Sequence, residues 1–223
     1  MSSYYGYKVA GLFQNESEVN NAPYQNGAQP GFLRFANIDA TNNTIDPKDR
    51  TFIGNPNPKF TYGFDIRLTY KNFDLSAFIY GSQGNDIFNW NKWWTDFWPS
   101  FQGQKSHDLL YDSWTTSNTN AKVPKASNTS NFSTNTQVCS YYIENGSYLR
   151  LKNLQLGYTI PGSYLGKTGI KSLRFYLQGV NLFTITKYSG LDPELGGGDR
   201  AFGIDAGNYP NAKQFIFGLN LSL

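Results

Sequence analysis

The sequence holds one cysteine, Cys139, and one histidine, His107. A single cysteine excludes an intramolecular disulfide, and the two residues cannot form a Cys/His metal cluster. Charge is also scarce, with 16% of residues charged and a net charge of +3. No block of like charges marks a nucleic-acid patch or a basic arm, so nucleic acid is not an expected partner. No apolar run approaches the roughly 18 residues of a membrane helix. The N-terminus, MSSYYGYKVAGLFQ, lacks a charged region followed by an apolar stretch, so no signal peptide is read there. The 223 residues suffice for one domain with a sizeable core or for two small ones. With a negative mean hydropathy, these features alone describe a soluble cytosolic β-protein. The periodicity of the chain overrules that description.

Aromatic residues are abundant: 17% of the chain, with 16 Tyr and 17 Phe. In FTYGFDIRLTY, residues 60–70, Phe60, Tyr62, Phe64, Ile66, Leu68 and Tyr70 alternate with Thr61, Gly63, Asp65, Arg67 and Thr69. Successive strand side chains point to opposite faces, so this segment is a strand with one apolar and one polar face. Lys71-Asn72 turns tightly into FDLSAFIYGSQ, where Phe73, Leu75, Ala77 and Ile79 share a face. The closing KQFIFGLNLSL repeats the device with Phe215, Phe217, Leu219, Leu221 and Leu223. SLRFYLQGVNLFTIT, residues 172–186, begins in the same way with Leu173, Phe175 and Leu177. SYLRLKNLQLGYTI, residues 147–160, changes phase between Leu149/Leu151 and Leu154/Leu156/Tyr158/Ile160. A bulge near Lys152-Asn153 reconciles its two halves. YYGYKVAGLF, residues 4–13, reads as a weaker sixth strand.

Long and short links alternate between these strands. A soluble sandwich favours short links at both ends, whereas an outer-membrane barrel has short periplasmic turns and long extracellular loops. Strands of about eleven residues at ~3.4 Å each, tilted by about 45°, cover about 26 Å of bilayer normal. Charges such as Asp65 and Arg67 then face a wet lumen. About six strands cannot close a membrane barrel, whose smallest bacterial form has about eight, and open edges are not viable in lipid. The chain therefore either oligomerises or is a piece of a longer barrel.

Catalytic constellations are poor. Ser106, His107 and Asp108 are the residue types of a relay, but adjacent residues do not converge as relay members do. GGGD, residues 196–199, is no phosphate loop, since no GK[ST] follows. Neither an enzymatic activity nor a cofactor is expected. Asp192 and Glu194 in SGLDPE are acids in a loop, solvated or binding the polar groups of a ligand. The stretch WNKWWTDFWPSF carries four of the five tryptophans. At about 100° per residue, Trp90, Trp93, Trp94, Phe97, Trp98 and Phe101 fall on one helical face. Pro99 ends that helix near Trp98, so a short amphipathic loop helix of about two turns is expected.

Several stretches resemble, in order, the C-terminal end of TonB-linked outer-membrane receptors of the SusC/RagA type. They are YYGYKVAGLFQ, DPKDRTFIGNPNPKFTYGFDIRLTYKNFDLSAFIYGSQGNDIFN, NGSYLRLKNLQLGYTIP, LRFYLQGVNLFTITKYSGLDPE and GIDAGNYPNAKQFIFGLNLSL. The pairing of SYLRLKN with QGVNLFTIT and SGLDPE is the most specific part. The resemblance implies an all-β fold, an antiparallel transmembrane β-barrel segment with long extracellular loops. Residues 1–223 would supply about six C-terminal strands of a 22-stranded barrel, without plug or signal peptide. It implies import of oligosaccharides or peptides across an outer membrane, with a SusD-type lipoprotein as lid. The TonB complex would act through the missing N-terminal plug region, and outer-membrane lipid would surround the strands. The terminal strand, through Phe215, Phe217, Leu219, Leu221 and Leu223, resembles the signal read by the barrel-assembly machinery. Asp39 and Asp46, in NIDATNNTIDPKDR, match a loop that is calcium-like in the family. The glycine a sharp calcium turn needs is absent, and an Asx-rich solvated loop is the plainer reading. The tryptophan face is expected first against neighbouring loops, then against the lid, then under a sugar or peptide, and last in an interfacial belt. A secreted carbohydrate-binding β-sandwich and a stand-alone oligomeric porin-like barrel are the competing readings.

Overall fold

A computed structural model describes residues 3–166, 169–196, 198 and 201–223. The strands in chain order are β1 (Tyr4–Tyr7), β2 (Val9–Leu12), β3 (Leu33–Phe35), β4 (Arg50–Gly54), β5 (Phe60–Tyr70) and β6 (Phe73–Gln83), followed by β7 (Asp86–Asn89), β8 (Ile143–Asn145), β9 (Tyr148–Pro161), β10 (Ser172–Thr186), β11 (Ile204–Asp205) and β12 (Gln214–Ser222). Short helices α1 (Glu16–Asn21), α2 (Asn91–Thr95) and α3 (His107–Tyr111) lie between them. No helix among the described residues is long and apolar enough to cross a membrane, which says nothing about strands. The chain divides into two compact units, each described by itself.

One unit comprises Pro58–Asn85, Asn145–Glu194 and Tyr209–Leu223. It is a single antiparallel sheet in the order β12-β10-β9-β6-β5. The alternating segments form the long strands because period two gives each of them one apolar and one polar face. Tyr70 pairs with Phe73 across the two-residue turn, where Lys71 takes a φ of 53° in the left-handed region. The phase change in β9 is a bulge. Phe78 and Ile79 of β6 face Asn153 and Leu151, which leaves Lys152 as the extra residue. Opposite it, β10 loses register between Val180 and Phe183, with Asn181 at a φ of 53°. Leu151 and Leu154 thereby both stay on the apolar face.

The opening segment, expected as a sixth strand of this sheet, does not join it. It divides at Lys8 into β1, paired with β4, and β2, paired with β3. Gly11, at a φ of 148°, marks a register break in the second pair. Runs of four residues are too short to cross a bilayer, which takes a strand of about nine to eleven.

The other unit comprises Met1–Asn57, Asp86–Glu144 and Leu195–Asn208. The long links thus do not remain open loops but bury a core of their own. Tyr7, Leu33, Phe35, Phe88, Phe97, Trp114, Cys139 and Tyr142 are all buried in it. Two-stranded pairs and the β11-β7-β8 sheet frame this core. Asp49 is a buried hub that accepts the backbone N–H groups of Ile38, Asp39 and Asp46 at 2.6 to 2.9 Å. It gives this strand-poor segment the backbone partners that a sheet would otherwise provide.

Candidate functional site

Register alone sorts the five-stranded sheet into rows. Ile66, Ala77, Leu154, Gly179 and Phe215 share one apolar row, and Leu68, Leu75, Leu156, Leu177 and Phe217 share the next. Tyr70, Phe73, Tyr158, Phe175 and Leu219 form an almost wholly aromatic row level with the β5–β6 turn, and Ile160, Leu173 and Leu221 follow beyond it on the longer strands. Toward the other end, Phe60, Tyr62 and Phe64 on β5 and Phe183 on β10 make that part of the face aromatic as well. The face is open: Leu177 is 61% exposed, Phe217 67% and Phe215 82%. In water a contiguous apolar surface of this kind is a liability. An aliphatic belt between aromatic rows is instead the pattern of a strand surface bathed in hydrocarbon, with rings at the headgroup level.

The opposite face carries Asp65, Arg67, Thr69, Asp74, Ser76, Asn153, Gln155, Arg174 and Gln178. Its charges are paired in place. Arg67 Nη2 lies 2.9 Å from Asp65 Oδ2. Arg174 grips Asp74 through two hydrogen bonds, of 2.9 and 2.5 Å. The partners of this second pair sit on β10 and β6, with β9 between them, and Gly157 occupies the gap. A Cβ there would lie 2.6 Å from Arg174 Nη2.

The two most specific sequence motifs meet in space. Arg150, from SYLRLKN, is buried, and its Nε donates to Thr184 Oγ1 at 2.7 Å. Its Nη1 donates to Glu194 at 2.7 Å and its Nη2 to Asp192, both from SGLDPE. Lys152, the bulge residue, reaches Glu194 Oε1 at 2.5 Å. The bulge therefore aims this ammonium, as bulges commonly re-aim a side chain. Asp192 also accepts the Asn211 N–H at 2.8 Å, the Asn211 Nδ2 at 3.0 Å and the Glu194 N–H at 2.9 Å. Burial pushes the Asp192 carboxyl up, but the bonds from Arg150 and from the Asn211 and Glu194 amides outweigh it. Together they hold the group below the usual carboxylate range. Both Asp192 oxygens thus accept hydrogen bonds from within the chain. With Glu194, Asp192 clips the segment after β10 to β9 and to the lead-in of β12.

The tryptophan cluster lies in the other unit and splits in two. Helix α2 spans only Asn91–Thr95, and Phe97 is extended, so the two-turn helix read from the sequence is interrupted. A separate 3-10 turn, Trp98–Ser100, carries Pro99 near its start, where proline's missing N–H costs nothing. Trp90 stacks on Phe88 and on Trp93, with centroids 5.6 Å away in each case, and Phe97 is buried against Tyr141. Trp93 Nε1 donates to Asn135 O at 2.8 Å. Trp94, Trp98 and Phe101 are exposed and gather round Lys105. Lys105 Nζ donates to the Trp94 and Phe97 carbonyls at 2.8 and 2.9 Å and lies 5.7 Å from both the Trp98 and Phe101 rings.

Asp39 and Asp46 serve the backbone. Asp39 accepts the Thr41 N–H at 3.2 Å, and Asp46 caps the 3-10 turn Pro47–Asp49 through the Lys48 N–H at 2.7 Å. No group of three His, Cys, Asp or Glu fit to hold a metal occurs among the described residues. Ser106 caps α3 by accepting the Leu109 N–H, and His107 is exposed beside Asp108 at 3.6 Å. Cys139 is buried, and burial pushes its thiol up to about 12. Phe215, Phe217, Leu219 and Leu221 lie on β12 at one edge of the sheet, with Leu223 just past its end. Of the GGGD stretch, Gly197 and Asp199 lie outside the described residues. The sequence reading singles out neither Asp49 nor Arg150, and Lys152 only as part of the β9 bulge.

No family model matches the chain. Curated proteins do. The chain is 37% identical to TonB-dependent receptor P3 of Formosa agariphila over 99% of its own length and 22% of that protein's. It is 32% identical to the TonB-dependent receptor SusC of Bacteroides thetaiotaomicron, over 95% of the chain and 20% of that protein. Among solved structures, the RagAB peptide importer in its open-open state superimposes with a TM-score of 0.73 at 29% identity. That match covers 99% of the chain and 22% of the importer chain. The chain thus spans about a fifth of the length of these proteins.

Proposed function

Over nearly its whole length the chain matches one stretch of the SusC/RagA-type TonB-dependent receptors, and on that premise we propose that it is the C-terminal part of an outer-membrane nutrient importer. The open apolar face of the five-stranded sheet, aliphatic between aromatic rows, carries this reading. It supplies the lipid-facing wall, and the ion-paired face turns to the lumen. The long-link unit then belongs to the extracellular side, where a SusD-type lipoprotein lid would meet it. The cargo is an oligosaccharide or a peptide, and energy comes from the TonB complex through a plug region elsewhere in the receptor. Strand β12 would offer the barrel-assembly machinery an amphipathic strand, with Phe215, Phe217, Leu219 and Leu221 on one face. The chain is read as a transport segment, as its transporter relatives suggest.

A carbohydrate-binding sandwich would need a second sheet over the apolar face, and among the described residues this unit holds a single sheet. A stand-alone oligomeric porin is disfavoured by the length of the relatives, about five times that of the chain. The test is fractionation and uptake. The chain should be found in an outer-membrane β-barrel, and removing residues 58–83 should abolish import of one oligosaccharide or peptide class. Recovery of the chain as a monomeric, cooperatively folding protein in detergent-free buffer would overturn the reading.

A further inference from the structure

The long-link unit holds a cavity of about 270 Å³ beside the buried half of the tryptophan cluster. Trp90, Trp93, Asn135, Thr136, Gln137 and Tyr142 supply most of its walls, and none of the described residues lining it carries a formal charge. Part of the wall is fixed by its own bonds. Asn135 receives the Trp93 indole N–H at 2.8 Å and donates its amide to Ser100 Oγ at 2.7 Å. Gln137 is less committed. Its Nε2 donates to Thr136 Oγ1 at 3.1 Å, and its carbonyl oxygen and second N–H have no partner among the described residues, so both can serve a ligand.

Size and chemistry restrict the ligand. The volume lies just under the ~300 Å³ at which pockets for drug-sized molecules begin, so it suits one ring and not a chain. Indole walls suit the C–H face of a ring, while amide and hydroxyl groups suit its rim of hydroxyls. A peptide terminus or charged side chain would be desolvated there without a counter-charge, which is costly. We propose that this cavity is a subsite for one neutral hexopyranose unit of an oligosaccharide. The proposal rests on the import reading for its setting and narrows the cargo to glycans.

The test is saturation-transfer NMR on the full-length receptor in detergent. The probes are methyl α-D-glucoside, methyl β-D-galactoside, methyl α-D-mannoside and trialanine. At least one glycoside should bind saturably, with transfer concentrated on one ring face. Gln137→Leu should weaken it by about tenfold, the loss expected from one hydrogen-bonding amide, and Trp98→Ala, outside the cavity, should leave it unchanged. Thr136→Val is the second variant should Gln137→Leu fail to fold. The subsite is overturned if no glycoside binds saturably, if both cavity variants bind like the parent, or if trialanine takes the site instead. Uptake by cells carrying the receptor, measured in parallel, separates the two ideas. Uptake without cavity binding removes the subsite and leaves the import reading, whereas cavity binding without uptake of any oligosaccharide or peptide does the reverse.

Discussion

Placing a cation at successive depths of the apolar face tests whether that face lies in hydrocarbon. Leu154 and Tyr158 share the apolar face of β9, four residues apart, with Tyr158 in the aromatic row. Four residues at ~3.4 Å, on a strand tilted by about 45°, place Leu154 about 10 Å deeper than Tyr158. In a barrel, arginine costs ~2–4 kcal/mol at the midplane and ~0–1 kcal/mol near an interface. Subtracting an alanine reference removes the packing each native side chain loses, including the 4.7 Å contact between the Phe73 and Tyr158 rings. The Arg-minus-Ala difference should therefore be ~2–4 kcal/mol at 154 and at most ~1 kcal/mol at 158. Gln155→Arg, on the opposite face, should cost less than ~1 kcal/mol, because its neighbours there are polar and wet. Denaturant titration of the receptor folded in phospholipid vesicles measures all of these. Equal differences at 154 and 158 would refute the lipid assignment, as would a Gln155→Arg cost matching that of Leu154→Arg.

Four further outcomes follow. Asp192→Ala leaves the Arg150 guanidinium buried with one anionic partner fewer, and should cost ~3–5 kcal/mol, read as faster proteolysis of the segment after β10. Because the folded Asp192 carboxyl titrates below its unfolded value, its contribution is fully present above the ordinary carboxylate pKa near 3.9 and is lost as pH falls through the lower folded value. Protease resistance of the clip should accordingly be flat from neutral pH down to about 4 and decline only below that. Phe97→Ala should destabilise by ~3–5 kcal/mol and Trp98→Ala by less than ~1 kcal/mol in thermal or denaturant melts, since only the first is buried. The Tyr142 hydroxyl is buried with no hydrogen-bond partner among the described residues, so Tyr142→Phe should leave stability unchanged or raise it by ~1–2 kcal/mol.

Where the chain repeats a local rule over nine residues or more, the sequence was readable. β5, β6, β9, β10 and β12 all declare their faces through period two, and the β9 bulge shows as a phase error between Leu151 and Leu154. The opening segment misled because it is half of two different pairs, and four-residue strands are too short to carry a period. The tryptophan face was legible as a cluster but not as a helix, because the chain is extended at Phe97 and the aromatic set divides between core and surface. The role of Asp192 and Glu194 was hidden for another reason. Their partners, Arg150 and Lys152, lie some forty residues earlier, and nothing local distinguishes a clipped acid from a solvated one. Asp49 had the same disguise, a carboxylate in a polar loop that spends its lone pairs on backbone amides.

The glycine beneath the Asp74–Arg174 pair has a consequence for how the strands find their places. Leu154, Leu156, Tyr158 and Ile160 are all apolar, so β9 could slide by two residues against both neighbours and keep every face correct. Hydrophobicity cannot tell the native alignment from its slipped copies. The ion pair can, because either slip would put Gln155 or Thr159 where Gly157 now sits, with a side chain wedged between carboxylate and guanidinium. Gly157 thus acts as a key cut for one alignment, and the bridge above it closes on that alignment alone. The sheet carries its own proofreading at a place where its pattern is degenerate.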